Sequence, residues 1–241
     1  MTAALASITL RALLNRRRTV LLALLGALLV LIAVLYRLGS PTADESLEVT
    51  QRLLADFGIG VLLPLVAVIV GTAALGSELD DGTIVYLLAK PVARWRIVLV
   101  KLVVAWLVTC VLVAPAMVVA GVIGHGDTQL ALGYAVASIV GALEYTAIFV
   151  ALSLVTSRAL IVGLAYVVVW EGVVAGIFSG TRAVSVRQHV LAVAEAAGGA
   201  GAGDAELALG FAVAASAVVT AGAIALAVRR LETVELRGET S

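Results

Sequence analysis

The sequence predicts an all-α integral membrane protein with six transmembrane helices. Three observations carry that expectation. Of its 241 residues, 62% are hydrophobic and 13% are charged, whereas a soluble domain is about 45–50% apolar and about 25% charged. Six apolar runs approach or exceed the roughly 20 residues that cross a bilayer. The basic residues fall mainly on one side of those runs, as cytoplasmic loops require.

The runs follow in order. Residues 1–18 carry Leu5, Ile8, Leu10, Leu13 and Leu14 at helical spacing, with Arg11 and Arg16–Arg18. That pattern predicts a helix on the membrane surface. Arg16–Arg18 before an apolar run resembles a signal peptide, but the run is too long and no cleavage site follows closely, so it reads as an uncleaved first span. The spans are expected at Thr19–Tyr36, Phe57–Leu75, Ile97–Ile123, Leu130–Thr156, Leu160–Phe178 and Leu207–Val228. Pro64 and Pro115 interrupt the second and third.

With the N-terminus inside, 12 basic residues face the cytoplasm and 4 (Arg37, Arg52, Arg182, Arg187) face outward. Six spans put both basic termini on the same side, in the cytoplasm. The first outer loop, 37–56, is acidic and contains a short amphipathic helix pattern. The second, Gly124–Gln129, is a tight turn with His125. The third, Ser179–Glu206, has helical periodicity over Arg182–Ala197 and then the glycine-rich GGAGAGD. The tail from Arg229 is polar and expected to fray. The whole chain, 1–241, reads as a single transmembrane domain.

One polar stretch lies between the second and third spans, GSELDDGTIVYLLAKPVARWRIVLVK from Gly76 to Lys101. Asp81-Gly82 is a turn signal, and Thr83–Ala89 reads as a short apolar helix. Lys90-Pro91 stops it, because the proline ring disfavours helical geometry at the preceding residue. Arg94 and Arg96 flank Trp95 where the next span begins, as interfacial anchors do.

The pattern E-x-x-x-G-T-x-x-x-L-L-x-K-P-V-x-R, followed seven residues later by lysine, resembles the cytoplasmic segment of ABC-2 type permeases. These are membrane subunits of one class of ATP-binding-cassette exporters. Here it is carried by Glu78, Gly82, Thr83, Leu87, Leu88, Lys90, Pro91, Val92, Arg94 and Lys101, in roughly a tenth of the chain. The resemblance implies that 76–96 is a coupling segment docking on a separate ATPase subunit through Glu78, Asp81, Gly82, Thr83, Leu87, Leu88, Lys90, Pro91 and Arg94. It implies two ATPase copies, a second permease (identical or related), and ATP and Mg bound by the ATPase. An apolar helix face with charges at both ends suits docking into a groove. The resembled family often forms a re-entrant outer hairpin before its last span, and the glycine run here departs from that pattern.

The absences narrow the chemistry. No G-x-x-x-x-G-K-[ST] occurs, since Lys90 and Lys101 follow Ala89 and Val100, so any ATP is hydrolysed by another chain. No H-E-x-x-H occurs, and His125 and His189 both fall in outer loops, where solvated surface histidines are expected. No metal site, catalytic residue or cofactor is therefore assigned. Net charge is zero, which implies no nucleic-acid partner. The single cysteine, Cys110, excludes an intrachain disulfide. The abundance of Arg over Lys, with Ala, Val and Gly, points to a bacterial plasma membrane.

Two carboxylates lie inside expected spans, Glu144 and Glu171. A charge at membrane depth costs about 2.5–3.5 kcal/mol on insertion scales, so it faces a wet cavity or a partner. They are candidates for the translocation path, or for buried hydrogen bonds between helices. Gly172, Gly176 and Gly180 repeat every four residues and are a candidate packing seam, between two permeases or within one. The leading function is thus a permease of an ATP-driven exporter. An ion- or proton-coupled transporter using Glu144 and Glu171 is the alternative. A membrane hydrolase has only Ser179 and His189 to draw on, with no nucleophile motif around the serine.

Overall fold

The computed structural model describes residues 6–7, 9–10, 13, 16–80, 93–175, 179–199 and 205–238. Every element among them is helical. Helix α1 spans Arg16–Leu38. Helix α2, Ala43–Arg52, opens on a capping box in which Thr42 accepts from the Glu45 amide and Glu45 accepts from the Thr42 amide. It runs without a break through a wide π-helical stretch, Leu53–Leu62, into α3, Leu63–Asp80. Pro64 has no N–H to give the ladder. The register just before it is already wide, with the Leu63 amide bonding Gly58 O five residues back.

Helix α4 covers Arg94–Gly124 and contains Pro115. A turn at Gly126 (φ +92°) leads to α5, Thr128–Val155, whose first turn is capped by Asp127. Helix α6, Ala159–Ala165, continues as a second π stretch, Tyr166–Val174. A short 3-10 turn, Ser179–Val184, precedes α7, Val186–Gly198. Helix α8 runs from Leu209 to Gly238, so the tail expected to fray from Arg229 is helical as far as Gly238.

Five of these helices are long and apolar enough to cross a membrane: Thr19–Leu38, Ala43–Gly76, Arg94–Gly124, Thr128–Val155 and Leu209–Thr233. The expected fifth span, Leu160–Phe178, is present as the shorter apolar helix Ala159–Val174. Its 7 α-helical and 9 π-helical residues reach at most roughly 24 Å at about 1.5 Å per residue, less than the ~30 Å hydrocarbon core. Residues 176–178 lie outside the described residues.

Helix α5 is the centre of the bundle. It packs against α3, α4, α6, α7 and α8, and 67% of its apolar window is buried, against 22% for α1 and 17% for α8. In lipid, packing rather than water exclusion holds helices together, so small residues belong at the contacts. Gly133 of α5 meets the Gly198 backbone of α7, and Gly141 meets Val190 and Leu63. Gly71 of α3 sits against Phe149 and Thr146. The Tyr145 and Phe149 rings stack at 6.0 Å, and Tyr166 meets Phe149 edge-on at 6.2 Å. Side-chain bonds to backbone add register: Trp106 Nε1 donates to Ile139 O at 2.9 Å.

Candidate functional site

The coupling segment is described only at its two ends. Asp81, Gly82, Thr83, Leu87, Leu88, Lys90 and Pro91 lie outside the described residues. Glu78 stands in the last turn of α3, and Arg94 begins α4. Between these ends sits a contact that the sequence did not foretell. Lys101 Nζ lies 2.6 Å from Glu78 Oε1 and donates to Ala74 O at 2.7 Å. Its side chain is 1% exposed and that of Glu78 is 24% exposed. Lysine at membrane depth is costly unless partnered, which was the available signal, though the motif alone names no partner. Next to it, the Arg96 guanidinium stands 5.2 Å over the Trp95 ring, a cation–π pair at the start of the span. A half-open groove of about 720 Å³, lined by Thr72, Gly76, Ser153, Arg158 and Ile161 among others, opens beside this end of α3.

The two glutamates converge on α7. Glu171 accepts from Tyr166 Oη (2.9 Å), Ser185 Oγ (2.5 Å), the Val186 amide (2.9 Å) and the Arg187 amide (3.4 Å). The amides are among the first of α7, which have no acceptor within their own helix. A carboxylate there also meets the positive end of the helix dipole. Ser185, the N-cap, accepts in turn from the Gln188 amide. The Tyr166 bond needs the π register. Five residues make 1.4 turns of an α-helix and would separate the two side chains, whereas the wider turn brings them back to one side.

Glu144 Oε1 lies 3.0 Å from His189 Nδ1, while His189 Nε2 lies 3.1 Å from Ala183 O. His189 is 1% exposed, which corrects the expectation of a solvated surface histidine. The helical periodicity of Arg182–Ala197 corresponds to the end of the 3-10 turn and, from Val186, to α7. The helix, however, lies against α5 instead of in water, and it turns His189 inward. Burial works against a charge on His189, but the hydrogen bond and charge of Glu144 outweigh it, and the ring titrates above the ordinary histidine value. The second oxygen of Glu144 and the Tyr145 hydroxyl are buried with no hydrogen-bond partner among the described residues. Arg187, two residues before His189, pairs with Asp56 of the π-helical stretch Leu53–Leu62. His125 is half-buried and bonds Ser46 Oγ at 2.8 Å.

The glycine seam is open where it is described. Among the described residues, a Cβ on Gly180 would meet nothing within 4 Å, and one on Gly172 would meet only Val167 O at 3.7 Å. Gly176 lies outside the described residues. Val168, Val169 and Val173 are exposed on the same helix, so Gly172 does not pack against another helix among the described residues.

The family model described as ABC-2 family transporter protein matches residues 14–186. The chain belongs to the ABC-2 transporter family. No curated protein matches it. The family and the apolar helices together make it a multi-pass membrane protein, the transmembrane subunit of an ABC-type transporter. Such subunits work with an ABC ATPase and are not generally catalytic themselves. In this ABC-2 subunit, the structure brings Glu144 and Glu171 together with His189, Ser185 and Tyr166 around one helix start. It does not bring either glutamate to the Glu78 end. Sequence reasoning missed Ser185, His189 and Tyr166 as partners because all three are distant in sequence or out of α-helical phase. Among the described residues no cluster of His, Cys, Asp or Glu could hold a metal ion.

Proposed function

We propose that this ABC-2 subunit forms the translocation path of an ATP-driven exporter and is moved by a separate ATPase. The carrying observation is the family match over residues 14–186 in a chain whose sequence holds no phosphate-binding loop. ATP and Mg would sit on the ATPase, present in two copies, and each copy would engage the coupling segment of one permease. Within that segment Glu78 and Arg94 mark the ends. Asp81, Gly82, Thr83, Leu87, Leu88, Lys90 and Pro91 supply the turn, the apolar docking face and the stop.

The subunit sits in a bacterial plasma membrane with six spans and both termini in the cytoplasm. The excess of arginine and lysine on that side supports this orientation. The sixth crossing would be completed by α6, its π-helical continuation and the residues after Val174. The second permease meets this one along the face that carries Gly172, Gly176 and Gly180. Gly172 and Gly180 have no close neighbour from another helix among the described residues, which favours a seam between subunits over one inside.

A pull-down from detergent, tagged on this chain, with ATPase activity measured in the eluate, tests the proposal. A stoichiometric ATPase that is lost when residues 83–89 are scrambled is the expected result. A clean chain without ATPase would overturn the exporter reading.

A further inference from the structure

We propose that Lys101 is a positioning residue for coupling. It clamps the inner end of α3 to α4, so that a push on the segment between them moves both spans as one body. The inference rests on the exporter reading and adds the part that carries its motion.

The argument starts from the geometry of one side chain. Lys101 lies seven residues into α4 from Arg94, about two turns. Its ammonium reaches across to two acceptors on α3, Ala74 O and Glu78 Oε1. Those residues are four apart, so they stack on one face of α3. One cation therefore grips a full turn of the neighbouring helix, at the turn where the helix gives way to the coupling segment.

The surroundings make the grip matter. Ile97, Val98, Leu102 and Ala105 of α4 and Ala74 and Leu75 of α3 are buried and apolar. Apolar contacts between helices in a membrane hold no strong register, because sliding exchanges one apolar neighbour for another. The lysine does hold register, because leaving its two acceptors would strand an ammonium in a buried site. Without it, displacement of the coupling segment could be absorbed at the ends of α3 and α4 separately. The fold itself has other supports, since α3 and α4 each pack on α5.

The test uses the permease–ATPase complex in nanodiscs, with Cys110→Ala and nitroxide labels at Ile69 on α3 and Val103 on α4. Label-to-label distances are read by EPR with and without Mg-ATP and vanadate. Wild type is expected to give one narrow distribution in both states. Lys101→Met and Lys101→Leu are each expected to keep the ATPase and a cooperative melting transition, yet to show a shifted and broadened distribution on vanadate trapping. Lys101→Arg, which keeps a charged donor at the same position, is expected to restore the narrow distribution. Distances in Lys101→Met and Lys101→Leu that follow wild type in both states would overturn the proposal. So would loss of the ATPase or of the fold in both variants, which would make the pair a structural element alone. A wild-type chain that retains no ATPase would instead overturn the exporter reading, and this inference with it.

Discussion

Replacing Glu171 by alanine should detach the start of α7. Four donors converge on its carboxylate, and two of them, the Val186 and Arg187 amides, belong to the helix backbone and cannot re-aim. The hydroxyls of Tyr166 and Ser185 can rotate, and Ser185 keeps its bond from Gln188. A hydrogen bond to a charged group contributes about 1.5–3 kcal/mol, and a stranded buried donor costs about 1–3 kcal/mol. The Arg187 bond is long at 3.4 Å, so it adds little. One strong backbone bond and one stranded amide, partly relieved by relaxation, place the loss near about 3 kcal/mol, a large single-site effect. That corresponds to a roughly hundredfold increase in opening of α7. Hydrogen exchange of residues 186–198 in nanodiscs reads this opening directly. Glu171→Gln retains one acceptor oxygen and should give an intermediate increase. If α7 exchanges at the wild-type rate in both variants, the carboxylate is not what holds it, and the capping argument fails.

The pair of His189 and Glu144 predicts a pH dependence. The folded pKa of His189 lies above its ordinary value, so the stabilisation is fully present below the unfolded value of about 6.5 and fades as pH rises through the folded value. The melting temperature should fall across that window, and Glu144→Gln should flatten the slope; an equally steep slope in the variant would refute the assignment. Gly133→Ala places a methyl group against the Gly198 backbone, so it should lower stability by about 1–3 kcal/mol, as overpacking does. An unchanged melting curve would mean that α5 and α7 are not in backbone contact. Gly172→Leu should leave the fold of one chain intact, because its Cβ would make only an ordinary contact with Val167 O among the described residues, but should weaken permease pairing in cross-linking. Undiminished cross-linking would move the seam elsewhere.

The spans were legible because each rests on one strong signal, a long apolar run. Thr19–Tyr36, Ile97–Ile123 and Leu130–Thr156 differ from their helices by a few residues at each end. The fifth run was harder to read. Leu160–Phe178 is apolar throughout apart from Glu171, and hydropathy cannot see that Glu171 must satisfy the start of another helix. Three of the four donors to Glu171, from Ser185, Val186 and Arg187, come from the segment after the run, where polar composition argues for a loop. The same composition misplaced His189: a histidine four residues past Ser185 looks solvated until α7 is laid against α5. Lys101 was visible as a motif residue, but its acceptors Ala74 and Glu78 lie 27 and 23 positions away. Such contacts follow from how helices pair, which a single sequence does not state.

The same geometry separates the two glutamates that were candidates for the translocation path. Both oxygens of Glu171 are occupied by donors from Tyr166, Ser185 and α7, so a passing substrate would have to break the cap of α7 to reach it. Glu144 differs, because one oxygen is engaged by His189 while the other is buried beside no donor among the described residues. Buried carboxylate oxygens without a partner are rare in folded proteins and mark sites where polarity serves something besides packing. Of the two glutamates, a proton-coupled mechanism would therefore have to use Glu144, with His189 as its partner. Glu144→Gln keeps the shape and removes the titration. If an ATPase drives the cycle, nucleotide- and vanadate-dependent motion of the complex should survive this change. If protons drive it, proton-dependent uptake or efflux in vesicles should disappear in the variant while depletion of ATP leaves the wild type active. Survival of the ATP-driven motion together with an absence of any proton-dependent flux in wild type would reduce Glu144 to a docking residue for α7.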